Sequence, residues 1–369
     1  MGKNISEEID VLVSLGQKYY NKNEFEKAKN FFAKALKFNP NNVDNLNLYG
    51  TALQKNNQVD LAIDVFKKAI NNSPGDIRAY KNLANIYLGQ SNPRLAIENY
   101  LQATRVNSSF AEGYYKLGLI YFSMLNDHES AINYFKQSIN YDPTNYNAYI
   151  FLGDIEFNAK KYDNALLYYQ KAAKTNDKVA EPFYKLALVY EKKQNKNISF
   201  NYYMKVLELD DKHEKALLKI GKSYDEKGNK DLAIDYYKKV EKINQGNAEV
   251  LFNIASAYFK LDKLDLAKTY LKKSLNYSKN NNSETKILLA RILESEGQID
   301  EQIEILKSIS YKTPINKEAY SLLAKAYGKI NNTEKELECY TKLAKVGDDE
   351  ANAWLKKNNI NISPNGDTK

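Results

Sequence analysis

An all-α solenoid of tandem helix pairs is the fold class that the sequence predicts, on three observations. Gly and Pro are scarce, 15 and 7 in 369 residues, which argues against a turn-rich all-β fold. Apolar residues recur at three- and four-residue spacing, as an amphipathic helix requires. A single ladder of small and large residues returns at a fixed period: Pro40 and Pro74, which close two copies of it, lie 34 positions apart. A period of that size marks stacked repeats rather than the two or three domains that the length alone would suggest.

The elements follow in order. The segment 1–8 is polar. Repeat one starts near 9 and carries Leu12, Leu15-Gly16, Tyr19, Ala28, Phe32, Ala35 and Pro40. Repeat two, from 43, has Leu46, Tyr49-Gly50, Leu53, Ala62, Phe66, Ala69 and Pro74. Repeat three, from 77, keeps Leu83-Ala84, Ala96, Tyr100 and Ala103. Repeat four, from 111, has Tyr114, Leu117-Gly118, Tyr121, Ala131, Phe135, Ser138 and Pro143, with one inserted residue near Asn126. Repeat five, from 146, has Leu152-Gly153, Ala165, Tyr169 and Ala172. Repeat six, from 180, has Leu186-Ala187 and Tyr203, with Ser199 in the Ala place. Repeats seven and eight, from 214 and 248, have Ile220-Gly221, Ala233 and Tyr237, then Ile254-Ala255, Ala267 and Leu271. Repeat nine, from 283, follows another one-residue insertion and has Leu289-Ala290, Leu306 and Pro314. Repeat ten, from 317, has Leu323-Ala324 and Tyr340, with Glu336 where Ala is usual. The repeats thus fill 9–350. Residues 351–358, with Trp354 where the large aromatic belongs, read as a capping helix. The polar tail 359–369 is expected to be disordered.

Each repeat is read as helix A, a short turn and helix B. The small residue after the Leu lets helix A approach helix B. Ala28 and its equivalents do the same from helix B. Large residues such as Tyr19 and Phe32 fill the space between a repeat and the next, and most of the 30 Tyr go there, as at Tyr87, Tyr121 and Tyr237. The A–B turns are polar clusters such as Asn21-Lys22-Asn23 and Glu226-Lys227-Gly228-Asn229. Pro closes helix B.

Composition excludes several function classes. One Cys and two His leave no material for a disulfide or a multi-thiolate zinc site, so no metal or cofactor is expected. His128 and His213 read as turn residues, and Cys339 as a small packing residue. Gly113 and Gly118 imitate a phosphate-loop spacing, but Leu119 follows where Lys is needed. No acid–base pair can be placed in a pocket, so catalysis is not expected. No run of 18 apolar residues exists, and the first residues lack a long apolar stretch, so a cytoplasmic protein is expected. Membrane association is expected only if Gly2, in Met1-Gly2-Lys3-Asn4-Ile5-Ser6, is myristoylated. The net charge of +8 is spread along the chain, which mildly favours acidic partners and is weak evidence for nucleic-acid binding.

The ladder resembles the tetratricopeptide repeat (TPR), over more than nine tenths of the chain. The resemblance implies a right-handed α-α superhelix whose concave side is lined by helix A. Transferred by register, that line holds Lys81, Asn82 and Asn85; Tyr115, Lys116 and Phe122; Phe151, Asp154 and Phe157; Tyr184, Lys185 and Lys192. It continues with Lys215, Lys219 and Lys222, then Phe252, Asn253 and Phe259. A basic, aromatic groove suits an extended peptide or a partner protein that is acidic or contains aromatics. The competing view is that Lys and Tyr are common everywhere in this chain. Lys81 and Asn85 match the start of the family's carboxylate clamp. Lys116, Asn147 and Phe151 break the rest of it, which makes a chaperone tail a poor fit. An asparagine ladder is represented only by Asn82 and Asn253. The expected function is therefore a non-enzymatic interaction scaffold. The alternative is a helical-repeat RNA binder, since pentatricopeptide repeats are similar in size. The oligomeric state is left open.

Overall fold

The computed structural model describes residues 5–278, 282–310 and 315–360. Gly2, Pro314 and residues 361–369 of the expected tail lie outside them. The described residues form 21 α-helices and no strand. They fall into two compact units, residues 1–195 and 196–369.

The first unit contains α1 (Ile5–Asn21), α2 (Phe25–Phe38), α3 (Val43–Lys55), α4 (Val59–Asn72), α5 (Ile77–Gly89) and α6 (Pro93–Val106). It continues with α7 (Ala111–Ser123), α8 (His128–Tyr141), α9 (Tyr146–Asn158), α10 (Tyr162–Thr175) and α11 (Ala180–Lys192). The second contains α12 (Lys196–Leu209), α13 (Glu214–Glu226), α14 (Lys230–Ile243), α15 (Ala248–Lys260) and α16 (Leu264–Tyr277). There follow α17 (Ser283–Ser295), α18 (Ile299–Ser310), α19 (Lys317–Lys329), α20 (Thr333–Lys345) and α21 (Asp349–Lys357). Odd-numbered helices are helix A and even-numbered ones helix B. Within each unit this is an all-α solenoid of helix pairs. Consecutive A helices lie side by side, as the ion pairs Arg78–Asp44, Lys81–Glu112 and Lys185–Asp154 show in the first unit. B helices do the same on the other layer, where the Tyr236 hydroxyl of α14 reaches Met204 of α12.

Local sequence explains where the helices start and stop. Asn42, Asp76, Asn145, Asn247, Asn282 and Asn316 each cap a helix A through a side-chain oxygen that accepts a backbone N–H. Such a cap contributes about 1 kcal/mol. His213 does the same for α13, its Nδ1 accepting from the Ala216 amide at 3.2 Å. Each A–B turn then places one residue at positive φ: 23, 57, 91, 126, 160, 194, 228, 262, 297 and 331. The steps are 34 residues except at 126 and 297, where they are 35. Only 228 and 297 of these are Gly; Asn, which tolerates the left-handed region, takes four of the others.

The core is a seam between A and B. The fully buried Phe32, Phe66, Phe135, Tyr100, Tyr169 and Tyr237 all come from helix B. Phe32, Phe66 and Phe135 face Gly16, Gly50 and Gly118, where an added Cβ would stand 2.5–2.7 Å from the ring. At the same ladder rung Leu271 and Leu306 accompany the bulkier Ala255 and Ala290, all of them buried. Tyr100, Tyr203 and Tyr340 accompany Ala84, Ala187 and Ala324, also buried, so Gly at this rung always meets a ring while Ala meets either a ring or Leu.

Two departures from the ladder are accommodated differently. Glu336 points at Gly328, whose missing side chain leaves the room: a Cβ there would meet Oε1 at 2.7 Å. Burial raises the Glu336 carboxyl above its ordinary range. Gln302 takes the Ala place in repeat nine, is wholly buried, and has no hydrogen-bond partner for either amide atom. The helix α21 covers repeat ten, with Trp354 stacked on Tyr340 at 4.3 Å and Leu355 buried.

Candidate functional site

The helix-A face of the first unit carries two hollows. The first, of about 490 Å³, is lined by Gln17, Asp44, Asn47, Leu48, Thr51, Arg78, Lys81 and Asn82. It is a polar surface rich in amides. Asp76 caps α5 and accepts from the Arg78 guanidinium and amide and from Asn47. Burial alone would raise its carboxyl, but these hydrogen bonds outweigh burial and hold it below the usual range. Lys81 closes the rim through Glu112 at 2.6 Å. Asn47 keeps one buried amide oxygen unpaired.

The second hollow, of about 220 Å³, is lined by Phe122, Asp154, Phe157, Asn158, Tyr169, Lys185 and Leu188. It combines an apolar wall with one ion pair. Asp154 accepts from the Tyr169 hydroxyl at 2.6 Å and from Lys185 at 2.9 Å. Burial, reinforced by Asp154, raises the Tyr169 hydroxyl far above its ordinary pKa, so it remains a donor. Lys185 also approaches Glu181 at 3.5 Å. This hollow can accept one apolar or aromatic side chain and offer an ammonium to a neighbouring carbonyl or carboxylate.

Four residues placed by register thus meet in one hollow: Phe122, Asp154, Phe157 and Lys185. Lys81 and Asn82 meet in the other. Asn85 accepts from the Tyr100 hydroxyl at 2.6 Å, and burial raises that hydroxyl in turn. Tyr115 and Phe151 belong to an aromatic cluster with Phe135 and Phe122, at 5.3–6.2 Å between ring centres. Lys116 and Tyr184 are half-buried, whereas Lys192 is exposed. In the second unit Lys215 is exposed, Lys219 is partly buried, and Lys222 is paired with Glu249 at 2.6 Å. Phe252 and Asn253 are half-buried, and the Asn253 amide nitrogen lacks a partner. None of these unit-two residues lines a hollow described for the first unit.

The charge of this face is smaller than its lysines suggest. Lys81, Lys185 and Lys222 each neutralise an acid on the next or preceding helix A. Register placed Lys81, Lys185, Lys222 and Asp154, but Glu112 and Glu249, in the first turn of their helices, were not among the residues it placed. The tyrosine tips were also missed. Tyr100 and Tyr169 read as packing residues, yet their hydroxyls cross the seam to position Asn85 and Asp154. The alternation of Phe and Tyr at this rung was the available signal.

Among the described residues no group of three or more His, Cys, Asp and Glu could hold a metal ion. Cys339 is buried, and burial pushes its thiol up to about 11. His128 is exposed at the start of α8, against Phe122 at 5.6 Å. No described helix is long and apolar enough to cross a membrane.

Family models described as tetratricopeptide repeat match residues 9–42, 31–64, 122–180, 180–213, 214–247 and 248–281. Another, described as TPR repeat, matches 95–124. Among solved structures, the C-terminal part of a TPR repeat-containing protein from Cytophaga hutchinsonii superposes with a TM-score of 0.54. It is 20% identical, over 65% of this chain and 97% of that one, and it shows the same fold. MamA is 29% identical over 44% of this chain and 95% of that one, with a TM-score of 0.41. YrrB, described as a TPR protein with an unusual peptide-binding site, is 20% identical. Its match covers 55% of this chain and 100% of that one, with a TM-score of 0.44. No curated protein matches the chain.

Proposed function

Because the chain belongs to the tetratricopeptide repeat family, a family of protein-interaction scaffolds, we propose that it captures an extended segment of a partner protein. The segment lies along the concave, helix-A face of residues 1–195. The observation that carries this reading is the second hollow. Phe122, Phe157 and Leu188 form an apolar socket beside an ammonium whose counter-ion, Asp154, is already held by Tyr169. A volume of about 220 Å³ suits one aromatic or large aliphatic side chain. Such an anchor desolvates fully and supplies most of the affinity. The amides of the first hollow, Asn47, Asn82 and Gln17, then pair with the extended backbone. The protein works by binding and not by catalysis, and it acts in the cytoplasm.

Selection of phage-displayed peptides on the full chain tests this. Enriched sequences share an aromatic or large aliphatic residue, and Phe157→Lys abolishes the enrichment. Enrichment that survives both Phe157→Lys and Lys185→Glu overturns the assignment of the socket.

A further inference from the structure

A hollow of the second unit lies away from the helix-A residues placed by register. It holds about 510 Å³ between the C-terminal halves of the B helices α14 and α16. Lys238, Lys242 and Lys273 form its walls, Gln245 and Asn276 its rim, and the buried Leu251 its floor. Its lining thus holds three lysines and one carboxylate, Glu241, which approaches Lys273 at 3.7 Å.

The sequence accounts for the opening at this junction. Glu241 stands at the rung held by Leu36, Ile70, Thr104, Ile139, Ala173 and Leu207 in the six preceding repeats. Most of those are apolar and fill the gap between B helices. A carboxylate cannot be buried there cheaply, so it turns toward Lys273 and the Tyr270 hydroxyl, which donates to it at 3.4 Å. The gap stays open.

Two of the lysines lie against aromatic rings. Lys238 lies over the Tyr258 ring at 5.6 Å and Lys273 over the Tyr270 ring at 4.8 Å. A hydrogen bond with Tyr258 keeps the Lys238 ammonium above its ordinary pKa. Lys242 has no acidic partner among the described residues. The hollow therefore carries an uncompensated positive charge over an apolar floor, with amide donors at its edge.

We propose that this B-helix hollow is a second binding site, which takes an acidic peptide segment of a partner protein. Carboxylates of the segment meet Lys238, Lys242 and Lys273, and an adjacent aliphatic side chain rests on Leu251. Charge complementarity selects the occupant. A hollow of this size is too wide for a bare anion. The site is separate from the helix-A face, so a partner can be held at two places, and the affinity gain from a second contact depends on linker reach rather than on new area.

The test uses the full chain and a fluorescein-labelled eight-residue peptide of alternating Glu and Leu, read by fluorescence anisotropy. Saturable binding is expected at low ionic strength, weakening steeply as salt is raised. Lys242→Glu combined with Lys238→Glu should weaken it at least tenfold, while both side chains are partly exposed and the circular dichroism stays that of the wild type. Lys185→Glu, on the helix-A face, should weaken it much less than the Lys238 and Lys242 changes do, which separates this site from the socket. A peptide with Gln for Glu should not bind. The proposal is overturned if the acidic peptide fails to saturate, if the Lys238 and Lys242 changes leave binding intact, or if Lys185→Glu abolishes it. It is also overturned if a uridine oligonucleotide displaces the peptide from the wild type and loses binding with the same two changes, since the hollow then serves RNA.

Discussion

A Cβ on Gly153 would stand 2.4 Å from Cε1 of Tyr169. The Tyr169 ring occupies the space a side chain would need, and its hydroxyl continues past the glycine to Asp154 at 2.6 Å. One glycine thus sets both a packing contact and a polar contact of the socket. Gly153→Ala is expected to destabilise the chain by about 1–3 kcal/mol, as overpacking does. Tyr169→Leu in the same chain recreates the Ala–Leu combination native at Ala255 and Leu271 and should recover part of the loss. Urea unfolding of the two single variants and the double variant measures the coupling. Strict additivity would refute it.

Lys160 holds a φ of 60° in the turn between α9 and α10. A side chain in the left-handed region costs about 1–2 kcal/mol, partly offset by the entropy that Gly loses on folding. Lys160→Gly should therefore stabilise by about 0.5–1 kcal/mol, read as a rise in the urea midpoint with an unchanged slope. A drop in the midpoint would contradict this reading.

Gln302 leaves both ends of its amide without a partner in a fully buried place. A buried polar group left unsatisfied costs about 1–3 kcal/mol. Gln302→Met keeps the volume and removes the polar atoms, so it should stabilise, with slower hydrogen exchange in α17 and α18. Unchanged exchange there would mean that the amide finds water.

The Cys339 thiol is raised by burial to about 11. The folded chain therefore keeps this proton where the unfolded chain loses it. Stability from this group is intact below the ordinary thiol pKa near 9 and falls as pH rises from there toward 11. Iodoacetamide at pH 9 should label the native chain much more slowly than the urea-unfolded chain. Equal rates would show the thiol to be accessible.

Most of the fold was legible because its signal is one-dimensional. A repeat contacts mainly its neighbours, so a ladder such as Gly16, Ala28 and Phe32 encodes packing at short range. The positions of Phe122, Asp154, Phe157 and Lys185 on one face followed from register alone. What register could not carry was pairing across repeats. Whether Lys81 is free or tied to Glu112 depends on how far two helices are offset, and the ladder is silent on that. The polar rung at Glu241 was visible in the sequence, but its meaning needed the gap between α14 and α16. The buried Gln302 was equally visible, yet only burial distinguishes it from a surface amide.

The meeting of a ladder glycine with a ring of its own repeat has a consequence for lineage. Gly153 and Tyr169 belong to the same repeat, as do Gly50 and Phe66. A duplication or deletion of one whole period carries both members along and breaks neither. Such an array lengthens or shortens by unequal crossing-over without a stage in which the seam is mispacked. The cross-repeat ion pairs, such as Lys185 with Asp154, are what each such event must renegotiate. Insertion and loss of copies would thus rewrite the binding face faster than the core, and the face would diverge while the scaffold stayed recognisable.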